Sequence, residues 1–171
     1  CNTRSRMMMI GAAMPMLENL TFEEITVGQT ASYSRTVTED DLLLFAAVSG
    51  DVNPVHLDEA FAAGTPFKGR IAHGMYTGGL ISAAIAMTLP GPGTIYLGQD
   101  LRFERPVRIG DTITVQLTVL EKTEAKKLVT LQTVASNQNG KVVVRGTASV
   151  MAPSQKLRIE RPAAPKVSIS R

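Results

Sequence analysis

The chain has 171 residues, enough for one domain with its own core and too few for two ordinary ones. Its 44% hydrophobic content is that of a globular protein, and no apolar run nears the ~20 residues that span a bilayer, which excludes a helical membrane protein. The net charge of +3 sits in the ends: residues 22–152 hold 11 Lys and Arg against 13 Asp and Glu, so the body lacks the basic surface that nucleic acid requires.

Cys1 is the single cysteine, so neither a disulfide framework nor a cysteine metal site is available, which fits a reducing, cytoplasmic setting. Residues 1–19 show no period and are expected to be a disordered leader. Met7–Met16 is apolar behind Arg4 and Arg6 as in a signal peptide, but a leftover cloning sequence or a misplaced start is the more economical reading. Residues 20–152 form the expected domain. Thr30–Val37 alternates like a half-buried strand. Thr38 then offers a cap, Glu39, Asp40 and Asp41 suit the positive end of a helix, and Asp40–Val48 continues it until Ser49-Gly50 closes it. Asp51–His56 is a loop bent by Asn53-Pro54, Asp58–Ala63 a short helical turn, and Gly64–Gly69 another loop.

His73–Leu89 carries no charge over seventeen residues and is apolar nearly all round, which predicts a buried helix, ended by Pro90-Gly91-Pro92-Gly93. After it the period changes. Thr94–Arg105, Thr112–Glu124, Lys127–Asn137 and Lys141–Met151 read as long antiparallel strands, with turns at Gly110-Asp111 and Asn139-Gly140. The layout is α+β: a curved antiparallel sheet wrapped round one central helix. Residues 153–171, rich in proline and basic side chains, are expected to be a disordered tail.

Both histidines of the chain, His56 and His73, fall beside that central helix, and Asp51 lies five residues before His56. A bend can aim Asp51 and His56 at one small volume. Gly74 follows His73 where the helix begins, and a helix start presents free N–H groups to negative charge. An acid, an imidazole and such an amide suffice to add water across a double bond next to a thioester: one group takes a proton from water, one returns a proton to the α-carbon, and the amide stabilises the enolate. Two histidines 17 residues apart with one aspartate give no compact metal pattern, so no metal is expected. Plainer readings compete. Asp51 and Asn53 are common turn formers, a lone His56 among apolar residues is more often structural, and for His73 the structural reading is favoured. Ser82 could bond back to a carbonyl one turn earlier, and Lys68, Arg70, Arg102 and Arg105 could meet phosphates or simply be solvated.

The runs Ser49–Asp58 (SGDVNPVHLD) and Arg70–Met75 (RIAHGM) resemble the hydratase motif of the MaoC-like dehydratase family. The similarity is closest to its short R-specific enoyl-CoA hydratases, of the polyhydroxyalkanoate-supplying type. Ile95–Phe103 (IYLGQDLRF), Pro106-Val107 and Gly110-Asp111 extend the resemblance over residues 20–152. The resemblance implies a hot-dog fold and a homodimer whose sheets join edge to edge. It implies Asp51 and His56 as the catalytic pair, Gly74 as the oxyanion N–H, and Asn53, Ser82 and His73 as supporting residues. The reaction implied is reversible syn hydration of trans-2-enoyl-CoA to the (R)-3-hydroxyacyl-CoA, with no cofactor beyond the CoA of the substrate. A dehydratase acting on acyl carrier protein thioesters, a hot-dog thioesterase and a non-catalytic acyl-CoA sensor are the alternatives. The sensor is disfavoured because the leader is too short and irregular for a helix-turn-helix.

Overall fold

The computed structural model describes residues 15–171. Six antiparallel strands make one sheet: β2 (Thr30–Thr36), β3 (Ile95–Gln99), β4 (Arg102–Phe103), β5 (Thr112–Thr123), β6 (Leu128–Ser136) and β7 (Val142–Met151). The spatial order is β2-β5-β6-β7-β3, and β4 follows β3 along the same edge of β7. The helix α4 (Gly74–Met87) lies across β5, β2 and β6, as a hot-dog fold requires. Alternate residues of β5 and β6, among them Ile113, Val115, Leu117, Val129 and Leu131, point at it and are fully buried with Ile81 and Ile85. Among the described residues no helix is long and apolar enough to cross a membrane.

The connection from β2 to α4 carries three shorter helices, α1 (Glu39–Ser49), α2 (Pro54–Leu57) and α3 (Glu59–Ala63). Thr38 and Asp41 close α1 with a reciprocal capping box: Asp41 N–H donates to Thr38 Oγ1 at 3.1 Å and Thr38 N–H to Asp41 Oδ2 at 2.9 Å. Asp41 also accepts from Arg35 Nη2 at 2.7 Å and from the Tyr76 hydroxyl at 3.0 Å, which ties α1 to β2 and α4. Burial works to raise the Asp41 carboxyl, but Arg35, the Thr38 amide and Tyr76 outweigh it and hold it below its ordinary value. Burial, with the Asp41 charge alongside, pushes the Tyr76 phenol up to about 12. At the far end Gly50 takes φ +78° and its N–H returns to Ala46 O, so the chain leaves α1 sharply.

Four expectations are corrected by the structure. The Asp51–His56 loop is only half a loop: Asn53 caps α2, Pro54 starts it, and His56 lies inside it. The predicted strand Thr94–Arg105 breaks into β3 and β4, because the Asp100 carbonyl presses against Gly146 of β7, where a Cβ would lie 1.9 Å from that oxygen. Neither end is wholly irregular. β1 (Met16–Glu18) pairs antiparallel with β8 (Arg158–Glu160), and Leu17 is buried. Asn19, 1% exposed, fastens this pair: its Nδ2 donates to Pro92 O and Gln155 O, and its Oδ1 accepts from Leu157 N–H. Residues 161–171 have no regular secondary structure, and residues 1–14 of the leader lie outside the described residues.

The fourth correction concerns α4. Tyr76, Thr77, Leu80, Ile81, Ala84 and Ile85 are buried, but the opposite face is open, with Met75 56% exposed and Gly79 and Ala86 exposed. A charge-free helix must be covered, yet its sequence does not say whether the cover comes from its own chain.

Candidate active site

Asp51 and His56 are brought together from opposite ends of a short segment. At Asp51 the backbone N–H donates to Ser49 Oγ at 3.2 Å, and Oδ1 accepts from Asn53 N–H at 3.1 Å. This Asx turn leaves Oδ2 free to face the imidazole. Asn53 Oδ1 in turn accepts from Val55 N–H at 3.2 Å and starts α2, so Asn53 shapes the loop from both sides.

His56 is buried, and its Nδ1 donates to Ile71 O at 2.8 Å. The carbonyl fixes the neutral ring as the Nδ1–H tautomer, so Nε2 carries a lone pair. That Nε2 lies 3.8 Å from Asp51 Oδ2. A carboxylate oxygen and an unprotonated ring nitrogen are both acceptors, so nothing bonds them directly. A water molecule, with two protons to give, satisfies both at once.

His73, 2% exposed, underlies the pair. Its Nε2 donates to Asp51 O at 2.9 Å, and its ring stacks on His56 at 3.8 Å between centroids, tilted by 26°. Phe45 of α1 backs it at 4.8 Å. His73 is the N-cap residue of α4; its carbonyl accepts from Tyr76 N–H at 3.0 Å, but its side chain makes no cap bond, so it adds no acceptor for the Gly74 and Met75 amides. Gly74 opens α4 and lines a cavity of about 340 Å³ with His56, His73, Thr77, Val107 and Val144. The Phe103 ring lies over Gly74, where a Cβ would stand 3.0 Å from its edge. Phe67 and Arg105 flank the cavity mouth, and Asp51 is half exposed on the outer side of His56.

The fold brings Asp51, His56, His73 and Gly74 together, with Asn53 beside them. It does not bring Ser82 there. Ser82 lies two turns along α4, about 12 Å from Gly74 along the axis, and does not line this cavity. The absence of a compact ligand pattern also needs correction, because donor atoms of Asp51, His56 and His73 all lie within 4.8 Å of one another. The arrangement still suits a metal poorly. Two nearly parallel stacked rings do not aim their in-plane lone pairs at one point ~2.0–2.1 Å from each. Nothing in the sequence marks Phe45, Ile71 or Phe103 for this site, since an apolar wall or a carbonyl acceptor leaves no local signature.

A family model described as "MaoC like domain" matches residues 22–140. The (R)-specific enoyl-CoA hydratase of Rhodospirillum rubrum is 50% identical over 134 residues, 78% of this chain and 92% of that protein. The 3-hydroxybutyryl-CoA dehydratase of Methylorubrum extorquens is 44% identical over 142 residues, 83% of this chain and 90% of that protein. Among solved structures, an unliganded R-hydratase from Pseudomonas aeruginosa superposes with a TM-score of 0.87 at 57% identity, covering 91% of this chain and all of that one.

Proposed function

The chain belongs to the MaoC-like family, and from that premise we infer that it is an (R)-specific enoyl-CoA hydratase, a hydro-lyase. It adds water reversibly to trans-2-enoyl-CoA and yields the (R)-3-hydroxyacyl-CoA. The observation that carries the reading is the pair of facing acceptors, Asp51 Oδ2 and His56 Nε2, 3.8 Å apart beside the first amide of α4.

Asp51 and His56 hold one water between them. As its oxygen bonds to C3 of the enoyl group, one proton passes to the pair, with Asp51 as base. The C2–C3 π electrons move towards the thioester oxygen. There the Gly74 N–H, reinforced by the positive end of the α4 dipole, stabilises the enolate. The pair then returns the proton to C2 and is restored, so one water is consumed and both residues emerge unchanged. Water and proton come from the same side, so addition is syn. The His73 ring supports His56 and the Asp51 carbonyl. The cavity beside Gly74 takes the acyl group along the apolar flank of α4. Every step is supplied by these side chains and one amide, so we assign no cofactor beyond the CoA of the substrate.

The working unit is a homodimer. Two features support it: the β3–β4 edge exposes Ile95, Leu97 and Phe103, and the open small-residue face of α4 lies free in the single chain. Joining two such edges would cover both and place a second copy beside Gly74. The single cysteine supports a cytoplasmic setting.

Purified protein mixed with crotonyl-CoA should deplete the enoyl absorbance with no release of free thiol. Thiol release without hydration would make it a thioesterase. Turnover confined to acyl carrier protein thioesters would make it the corresponding dehydratase.

A further inference from the structure

Asp51 and His56 belong to different segments, Asp51 to the exit of α1 and His56 to α2, and one largely covered side chain bonds to both α1 and α2. Arg70, with its side chain 11% exposed, donates from Nε to His56 O at 2.8 Å and from Nη1 to Glu39 Oε1 at 3.1 Å. Glu39 is the first residue of α1, the helix whose far end delivers Asp51. The next residue continues the grip: Ile71 N–H donates to Val55 O at 3.3 Å, and Ile71 O accepts from His56 Nδ1 at 2.8 Å. Arg70 Nη2 is buried without a hydrogen-bond partner. Burying a guanidinium with one donor unsatisfied is an expensive way to hold a loop, and an apolar residue would be cheaper. What arginine adds is a rigid fork that reaches two acceptors in fixed directions.

We propose that Arg70 is a positioning residue for the hydration, clamping the His56 backbone to the start of α1 and so setting how the His56 ring faces Asp51. It does not line the cavity beside Gly74. The proposal rests on the hydratase reading above. Lysine at this position keeps the charge but cannot engage the His56 carbonyl and Glu39 together.

Arg70→Lys should lower kcat for crotonyl-CoA by about tenfold or more, the scale expected when reacting groups shift by a fraction of an ångström, with KM within about threefold. A second readout needs no turnover. The chain has two histidines, so long-range ¹H–¹⁵N correlation spectra resolve each ring. His56 should show a single Nδ1–H tautomer in the parent protein and a tautomer mixture in Arg70→Lys. If Arg70→Lys does not fold, Glu39→Ala, at a half-exposed position, removes the α1 anchor and should move both readouts the same way by a smaller amount. An unchanged kcat with unchanged His56 signals, in a parent that hydrates crotonyl-CoA, overturns the inference. So does a kcat loss that merely tracks the folded fraction. A parent inactive on every enoyl thioester overturns the hydratase reading instead, and the His56 spectra still decide the role of Arg70.

Discussion

Asp51→Asn separates a catalytic carboxylate from a turn former. Oδ1 of Asp51 accepts from Asn53 N–H at 3.1 Å, and an asparagine amide oxygen keeps that bond. The new Nδ2 then takes the place of Oδ2, 3.8 Å from His56 Nε2. It can donate to the imidazole or to the water, but it cannot take a proton from either. Losing a general base costs about 10²–10⁴ in rate, or roughly 3–5.5 kcal/mol in the barrier. The side chain is half exposed and its turn contact survives, so stability should change by no more than about 0.5 kcal/mol. The assay follows crotonyl-CoA absorbance beside a thermal melt of the same preparation. Activity within a few-fold of the parent, at unchanged Tm, would show that Asp51 is only a turn residue.

His56→Ala should cost about 10²-fold or more in turnover; a shift in Tm with intact activity would make His56 structural. Asp41→Ala removes one partner of the part-buried Arg35–Asp41–Tyr76 cluster and should cost roughly 1–3 kcal/mol in denaturant unfolding, the half-exposed Arg35 keeping it below the cost of a fully buried pair. The folded Asp41 carboxyl titrates below its unfolded value near 3.9, so its contribution is complete above about pH 5 and is lost as pH falls through the folded pKa. The parent should therefore lose more stability than Asp41→Ala between about pH 5 and pH 2, and parallel curves would refute the assignment. Gly146→Ala sets a methyl against the Asp100 carbonyl and should cost about 1–3 kcal/mol or more, read as a Tm lowered by several degrees. An unchanged Tm would mean the Asp100–Gly146 contact is loose.

The legible features were those with local causes. Thr38 with Asp41 announces a helix start, Asn139-Gly140 a hairpin, and a run without charge a helix that must be covered. The approach of Asp51 to His56 was legible because Asp51, Asn53, Pro54 and His56 all act within six residues. The illegible features depend on partners distant in sequence. β1 and β8 are three residues each, too short for a period, and are held by Asn19 through carbonyls and an amide from residues 92, 155 and 157. The break between β3 and β4 is set by the missing Cβ of Gly146, about 45 residues on. His73 was readable as a helix start, but not as the ring beneath His56. Arg70 read as a solvated cation because nothing local marks a guanidinium that reaches back to α1 and α2.

Same-face addition from a single water bridging Asp51 and His56 can be read in one product. Crotonyl-CoA hydrated in D₂O carries one deuterium at C2, and proton coupling between C2 and C3 distinguishes the two diastereomers. The arrangement requires a single diastereomer, with deuterium and hydroxyl delivered to the same face and C3 in the R configuration. An anti product, or an equal mixture formed during turnover, would contradict it.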